Sequence, residues 1–211
     1  MIGVICAYFA SYWALSLGLT WLTPYLIKVL GYSQQTAGTL SALPWLAGFV
    51  VVITSGWLSQ RMLAGGIPSR VARGVFGGGA VLVGGVLLLL MALVDTNAAK
   101  IALLTIGASI AAVIYVVSPA IIGQITPYRQ RAAMLGITGG LATLAGVAPY
   151  VMGSLIESAA TPADGYNQGY LLNGAVMVIG GLIGALLIDP DGEVKRLAQA
   201  SALDGAAVPA E

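Results

Sequence analysis

The sequence contains no histidine, a single cysteine and few charged residues. Among its 211 residues, 8% are Asp, Glu, Lys or Arg, and Cys6 is the one cysteine. This composition excludes a Ser–His–Asp catalytic set, a Cys/His metal site and a disulfide within the chain. The acidic residues lie near the ends of apolar runs or in the tail, so no catalytic or metal-binding carboxylate cluster is predicted either. We therefore expect no enzyme activity, no metal and no cofactor, and the net charge of +1 gives no reason to expect a nucleic-acid partner.

Hydrophobic residues take the place of the missing charge. They make up 58% of the chain, and the mean hydropathy is +0.93. Soluble domains carry roughly 25% charged residues, so a chain of this composition cannot cover a globule with polar surface. The sequence predicts an all-α integral membrane protein with six transmembrane helices, since a helix of about 20 apolar residues crosses a bilayer. The six runs cover residues 3–27, 39–58, 74–94, 101–123, 132–156 and 169–188.

The two ends of the chain carry different signals. The first run is too long for a signal peptide and has no basic segment before it, so it is predicted to remain as a spanning helix. Residues 1–190 are predicted to form the six-helix bundle. Residues 191–211 are polar and alanine-rich, and they are predicted to form a cytoplasmic tail that is mostly disordered.

The basic residues predict the orientation of the bundle. Successive connectors alternate between the two sides of the membrane, and basic connectors favour the cytoplasm. Lys28 and Lys100 lie on one side, and the other seven Lys and Arg residues lie on the other. Both termini are therefore predicted to be cytoplasmic, in the cell (inner) membrane. The seven residues on that side are Arg61, Arg70, Arg73, Arg129, Arg131, Lys195 and Arg196.

The connector after the second run has a further pattern. Residues 56–73 read GWLSQRMLAGGIPSRVAR, with Gly56 followed by Arg61, a Gly-Gly turn and Arg70. This spacing resembles the loop signature of the major facilitator superfamily, Gly-x-x-x-Asp-Arg/Lys followed by glycine and more basic residues. Gln60 stands where the family has an acid. The resemblance implies a cytoplasmic gating loop containing Gly56, Arg61 and Arg70, although a topology signal alone would also account for the charge.

Other stretches resemble the anion:cation symporter branch of that superfamily. They are LTWLTPYLIKVLGYSQQTAG at 19–38, SALPWLAGF at 41–49, TPYRQRAAMLGI at 126–137 and GVAPYVMG at 146–153. The resemblance covers about residues 5–190. It implies the C-terminal six-helix half of a twelve-helix carrier that moves a small organic solute, an organic anion, by alternating access. The implied partners are the solute, the bilayer and the missing N-terminal six-helix half or a second copy.

Two other functions remain open at this point. The chain could be a stand-alone six-span carrier or channel that acts as a dimer. It could also be a membrane assembly or interaction protein without transport activity. A proton-coupled carrier needs a titratable group within the membrane. No carboxylate lies in the middle of a run, so the group that couples transport to an ion is expected outside this chain.

Hydroxyl-bearing side chains define the candidate cavity wall. On a helical wheel, five of those in the first run, Tyr8, Tyr12, Ser16, Thr20 and Thr23, fall within about 120° of one another. They could bind a polar solute without burying a charge, or they could hydrogen-bond neighbouring helices. The resemblance places the first and fourth helices at a central cavity, and the fifth run offers two further candidates. The candidate wall residues are Tyr8, Tyr12, Ser16, Thr20, Ser109, Tyr115, Thr143 and Tyr150.

Two features predict local helix geometry. Gly136, Gly139, Gly146 and Gly153 recur on one face of the fifth run, which predicts close packing against a neighbouring helix. Pro119 lacks a backbone N–H and predicts a kink near the cytoplasmic end of the fourth run.

Overall fold

The computed structural model describes the backbone of residues 1–206 and the side chains of residues 1–197 and 199. Within these residues the chain forms ten α-helices joined by short connectors. A π-helical turn at Arg70–Val75 and 3-10 turns at Tyr128–Gln130 and Leu144–Val147 complete the helical segments. The α-helices are α1 Ile2–Lys28, α2 Gln34–Ser41, α3 Leu43–Ala64, α4 Phe76–Met91, α5 Asn97–Ala111, α6 Val113–Ile125, α7 Arg131–Thr143, α8 Ala148–Ser158, α9 Pro162–Leu187 and α10 Pro190–Ala206.

Six helical segments are long and apolar enough to cross a membrane, which confirms the predicted fold class. Most begin or end a few residues outside the predicted runs, and two of them begin directly after a polar residue whose side chain caps the helix, Ser33 and Thr161. Ser33 accepts a hydrogen bond from the Thr36 N–H at 3.2 Å, so the second segment begins at Gln34 rather than at residue 39. The six spans, numbered in chain order, are Ile2–Lys28, Gln34–Ala64, Arg70–Met91, Asn97–Ile125, Tyr128–Ser158 and Pro162–Leu187.

The closest helix packing lies between α4 and α9. A Cβ added to Gly78 or to Gly181 would overlap backbone atoms of the facing helix. In contrast, a Cβ added to Gly136, Gly139 or Gly146 would meet no atom within 4 Å. Within the described part of the chain no helix therefore packs against these three glycines, and the predicted close packing is not formed there, because that face of the span is exposed.

The second and fifth spans are the least buried. Only 6% of the apolar window of the second span and 22% of that of the fifth are buried, against 39–50% in the other four spans. Large side chains such as Phe49, Trp57 and Leu144 are mostly exposed on them. These two spans therefore present apolar faces to whatever surrounds the bundle.

The fourth and fifth spans are interrupted near their middles. The fourth breaks at Ala112, between α5 and α6, and the fifth passes through the 3-10 turn Leu144–Val147. Pro119, where a kink is predicted, lies inside the continuous helix α6. A transmembrane helix tolerates a proline where its surroundings satisfy the backbone group that the proline leaves unpaired.

The chain after the sixth span differs from the predicted disordered tail. Residues 190–206 form α10, whose start is capped by Asp189, the acceptor of a 3.1 Å hydrogen bond from the Gly192 N–H. Proline at the first helical position and the alanines that follow also favour a helix. Residues 207–211 of the predicted tail lie outside the described residues.

Candidate functional site

A cavity of about 470 Å³ opens between the first, second and fourth spans. Its volume lies within the range of about 300–1,000 Å³ that is usual for small-molecule sites. We call it the tyrosine cavity, because Tyr8, Tyr12 and Tyr115 lie in its wall. Side chains from α3, including Trp45 and Phe49, close the opposite side.

The polar side chains in the lining of the tyrosine cavity are uncharged: they include the three tyrosines, Ser11 and Ser109. The rings of Tyr8 and Tyr115 pack edge to face, with centroids 5.3 Å apart. The Tyr115 hydroxyl is buried and has no hydrogen-bond partner among the described residues. The lining contains no Asp, Glu, Lys or Arg. The cavity can therefore exchange hydrogen bonds with a solute, but it cannot neutralise a carboxylate.

The serine and threonine candidates mostly bond to the backbone instead. Ser109 lines the cavity, but its hydroxyl lies 2.6 Å from the Thr105 carbonyl and 3.1 Å from that of Pro44. The Ser16 hydroxyl lies 3.2 Å from the carbonyl of Ala145, and Thr20 donates to the Ser16 carbonyl at 2.7 Å. The hydroxyls of Ser16 and Ser109 thus reach other helices, which is the alternative interpretation of the pattern, whereas that of Thr20 bonds within its own helix.

The two candidates on the fifth span lie outside the tyrosine cavity. Tyr150 is 77% exposed, and Thr143 is exposed with its hydroxyl donating to the Gly140 carbonyl at 2.7 Å. The structure thus brings together Tyr8, Tyr12, Ser109 and Tyr115 and leaves Thr143 and Tyr150 on an open face.

Gly56, Arg61 and Arg70 make separate contacts toward the end of the bundle at which α1 and α10 begin, here called the terminal end. A Cβ at Gly56 would lie 3.4 Å from a Val116 methyl carbon, which is ordinary contact. The Arg61 guanidinium lies 5.2 Å from the centroid of the Trp57 ring. Arg70 is exposed and lies 4.0 Å from the Asp189 carboxylate.

The structure also forms a polar cluster at the terminal end that the sequence did not predict. Gln124 Oε1 accepts hydrogen bonds from Arg73 Nη1 at 2.6 Å and from the Ser69 hydroxyl at 2.7 Å. Asp191 accepts from the Ser69 N–H at 2.8 Å and from Gln124 Nε2 at 3.2 Å. We call these four residues the terminal cluster. A cavity of about 690 Å³ lies beside it and is also lined by Arg131.

The terminal cluster joins parts of the chain that are distant in sequence. Ser69 and Asp191 are 122 residues apart, and Ser69 and Gln124 are 55 apart. The cluster ties the connector between the second and third spans to the ends of the fourth and sixth. The one sequence signal was Gln124, a polar residue near the end of an apolar run.

Comparison with known sequences identifies the family. The family model of the Major Facilitator Superfamily matches residues 4–209. The D-galactonate transporter of Escherichia coli O6:H1 is 28% identical over 210 residues, which cover 93% of this chain and 44% of that protein. The hexuronate transporter of Bacillus subtilis is 25% identical over 183 residues, which cover 83% of this chain and 42% of that protein. The chain thus spans less than half the length of these curated relatives.

Solved structures share the fold. A bacterial homolog of the human lysosomal transporter Spinster, inward-facing and unoccupied, aligns with a TM-score of 0.65 and 16% identity over 92% of this chain and 48% of its own. The inward-open xylose transporter XylE from E. coli aligns with a TM-score of 0.67 and 12% identity over 97% of this chain and 53% of its own. The bundle therefore corresponds to one half of their fold. It is an integral, multi-pass membrane protein, and the chain belongs to the Major Facilitator Superfamily, with a resemblance to the anion:cation symporter branch.

Proposed function

We propose that this chain forms one wall of the solute pathway in a secondary transporter, and that the solute is a small organic anion of the sugar-acid class. The observation that carries the proposal is the uncharged tyrosine cavity, with the buried, unpartnered hydroxyl of Tyr115 in its wall. Hydroxyl donors and acceptors suit a polyhydroxylated solute. The relatives named as galactonate and hexuronate transporters support this class of solute. We further propose that transport proceeds by alternating access and that the solute moves together with an ion, by symport.

The tyrosine cavity is only part of the proposed site. A carboxylate taken out of water needs a cation or several strong donors, and the cavity lining has no cation. The exposed apolar faces of the second and fifth spans offer a surface for a second six-helix unit. We propose that this unit is an N-terminal half that supplies the cation. A second copy of this chain would cover the same faces but would bring another uncharged wall, so the dimer is the weaker alternative.

The connector containing Gly56, Arg61 and Arg70 is proposed to belong to the gate at the terminal end. Arg70 faces Asp189, which caps α10, and the terminal cluster holds the same connector against α6. A shift of this connector would therefore be transmitted to two other helices. Loss of the terminal cluster should then slow transport as well as lower stability.

We expect cysteine labelling to place the terminal end in the cytoplasm. In a Cys6→Ser background, single cysteines replacing Gln35 and Asn167, which are exposed at the opposite end, should react with an impermeant thiol reagent in intact cells. Cysteines replacing Ala64 and Gln130, exposed at the terminal end, should react only after the membrane is permeabilised. The reverse pattern would contradict the proposed orientation.

Removing the Tyr12 hydroxyl is expected to weaken solute binding without harming the fold. One net hydrogen bond contributes about 0.5–1.5 kcal/mol, so Tyr12→Phe should raise KM for the solute roughly three- to tenfold. The ring still packs, so Tm in detergent should hardly change. The measurement is KM from initial uptake rates, together with Tm of the same purified variant.

The matched control for that change is Tyr128→Phe. Tyr128 is 85% exposed at the terminal end and lies outside the tyrosine cavity. This variant should keep both KM and Tm. A lower Tm with an unchanged KM in Tyr12→Phe would show that the Tyr12 hydroxyl stabilises the bundle, and Tyr12 would then leave the proposed site.

A further inference from the structure

The cavity at the terminal end carries positive charge, unlike the tyrosine cavity. It is the cavity of about 690 Å³ beside the terminal cluster, and we call it the arginine cavity, because Arg73 and Arg131 lie in its wall. Among the described residues that line it, Asp191 is the one acid. None of these lining residues also lines the tyrosine cavity, so the two cavities are separate sites.

Arg73 is held in the wall by neutral acceptors. Its Nη1 donates to Gln124 Oε1 at 2.6 Å and to the Ala120 carbonyl at 3.2 Å. Gln124 stands between Arg73 and the acid, since Gln124 Nε2 donates to the Asp191 carboxylate at 3.2 Å. Arg73 Nε is buried and has no hydrogen-bond partner among the described residues. The protein thus positions this guanidinium without placing a carboxylate in contact with it.

Arg131 is held in a similar way at the start of the fifth span. Its Nε donates to the Thr126 carbonyl at 3.1 Å, and its guanidinium carbon lies 5.9 Å from the centroid of the Tyr128 ring. Neither Arg131 nor Arg73 takes part in the ion pairs that the described residues form. The Arg131 side chain is exposed, which leaves its two terminal nitrogens open to a ligand.

The acid in the lining is committed to its own partners. One carboxylate oxygen of Asp191 accepts from the Ser69 N–H at 2.8 Å and the other from Gln124 Nε2 at 3.2 Å. The surroundings are basic as well, because seven Lys and Arg residues lie at the terminal end and the acids described there are Asp189, Asp191 and Glu193. Two arginines in such surroundings favour an anion over a cation as the ligand.

The remaining lining points to the kind of anion. Leu63, Ile67 and Ala120 give the arginine cavity an apolar side, where the second and fourth spans approach the connector. Guanidinium groups bind phosphate oxygens through paired hydrogen bonds. Basic pockets between transmembrane helices bind the phosphate-bearing headgroups of lipids, whose chains remain in the apolar region. A phosphate group therefore fits both sides of the cavity.

We propose that the arginine cavity binds a phosphate-bearing anion through Arg73 and Arg131. Its source is either the headgroup of an anionic lipid or free inorganic phosphate. The two arginines lie near the starts of the third and fifth spans, so the bound phosphate links these spans at the terminal end. The site involves no transported solute, so it stands or falls independently of the proposed transport of a sugar acid.

Titration of the complete protein, purified and delipidated in a neutral detergent, tests the site. A ligand that binds only the folded state stabilises it. Inorganic phosphate should therefore raise Tm saturably above its value in chloride of the same ionic strength. Short-chain phosphatidylglycerol should do the same relative to phosphatidylcholine with identical chains. A response to one ligand alone identifies that source, a response to both supports the shared phosphate chemistry, and a response to neither would overturn the proposal.

Arg131→Gln shows whether the responding ligand binds in the arginine cavity. The side chain is exposed, so Tm without ligand should hardly change. Loss of one hydrogen bond between charged groups should raise Kd, taken from the Tm titration, about tenfold. The matched control is Arg129→Gln, since Arg129 is exposed at the same end but lies outside the cavity lining, and this variant should keep Kd. An unchanged Kd in Arg131→Gln, or an equal rise in both variants, would overturn the site.

Discussion

Gly78→Ala is expected to prevent normal folding, whereas the same change at the adjacent Gly79 should be tolerated. A Cβ at position 78 would overlap the Ala185 backbone nitrogen and lie 2.6 Å from the carbonyl carbon of Gly184. These are backbone atoms of the facing helix, so relief requires separating α4 from α9. Overpacking of this kind costs about 1–3 kcal/mol and more where only backbone can move. The measurement is the yield of folded protein from membranes and its Tm in detergent.

Gly79 provides the matched control within the same turn of α4. A Cβ at this position would meet no atom within 4 Å, and alanine favours a helix more than glycine does. Gly79→Ala should therefore keep or slightly raise Tm. Similar yields and Tm values for the two variants would contradict the close packing of α4 on α9.

Asp191→Ala is expected to have the second large effect, because it removes the acceptor that two donors share. The Ser69 N–H and the Gln124 side-chain amide both bond to this carboxylate. Hydrogen bonds to charged groups contribute about 1.5–3 kcal/mol each, so loss of both should lower the free energy of unfolding by about 3–6 kcal/mol. If the connector belongs to the gate, the uptake rate should fall as well.

An exchange of amide and carboxylate provides a sharper test of the terminal cluster. Gln124→Glu alone places two carboxylates against each other, and Asp191→Asn alone leaves the Gln124 amide facing a second amide. The combined variant restores one donor and one acceptor at this contact, with the same net charge. Its Tm should exceed that of either single variant, and strictly additive losses would contradict the observed geometry. Glu193→Gln is the control on α10, because its exposed pairing with the N-terminus at 3.9 Å should contribute little.

The six spans could be predicted from sequence because bilayer thickness dictates the length of an apolar run. The limits of the spans were harder to predict, since they depend on local caps such as Ser33. The helix at 190–206 was missed because its polar composition is also typical of disorder. The cap at the start of α10, where Asp189 accepts a hydrogen bond from the Gly192 N–H, is evident only in the folded chain.

The candidate site was predictable only in part. Helical periodicity grouped Tyr8 and Tyr12 with Ser16 on one face of α1, but it could not separate their roles. The roles depend on what faces each side chain: a cavity for the tyrosines and the Ala145 carbonyl for the serine. The glycines posed the same problem, because similar stripes occur in close contact on α4 and in open space on α7. A helical pattern specifies a face, whereas tertiary packing decides what covers it.

The most direct test of the central claim is uptake of radiolabelled sugar acids, D-galactonate first, by the complete protein reconstituted into liposomes. We expect saturable uptake that other sugar acids compete for and that the corresponding neutral sugars do not. Tyr12→Phe should raise KM in this assay, whereas Tyr128→Phe should not. Correctly inserted, folded protein that takes up no sugar acid or other small organic anion, with or without an ion gradient, would contradict the claim that this chain forms the wall of a transport site.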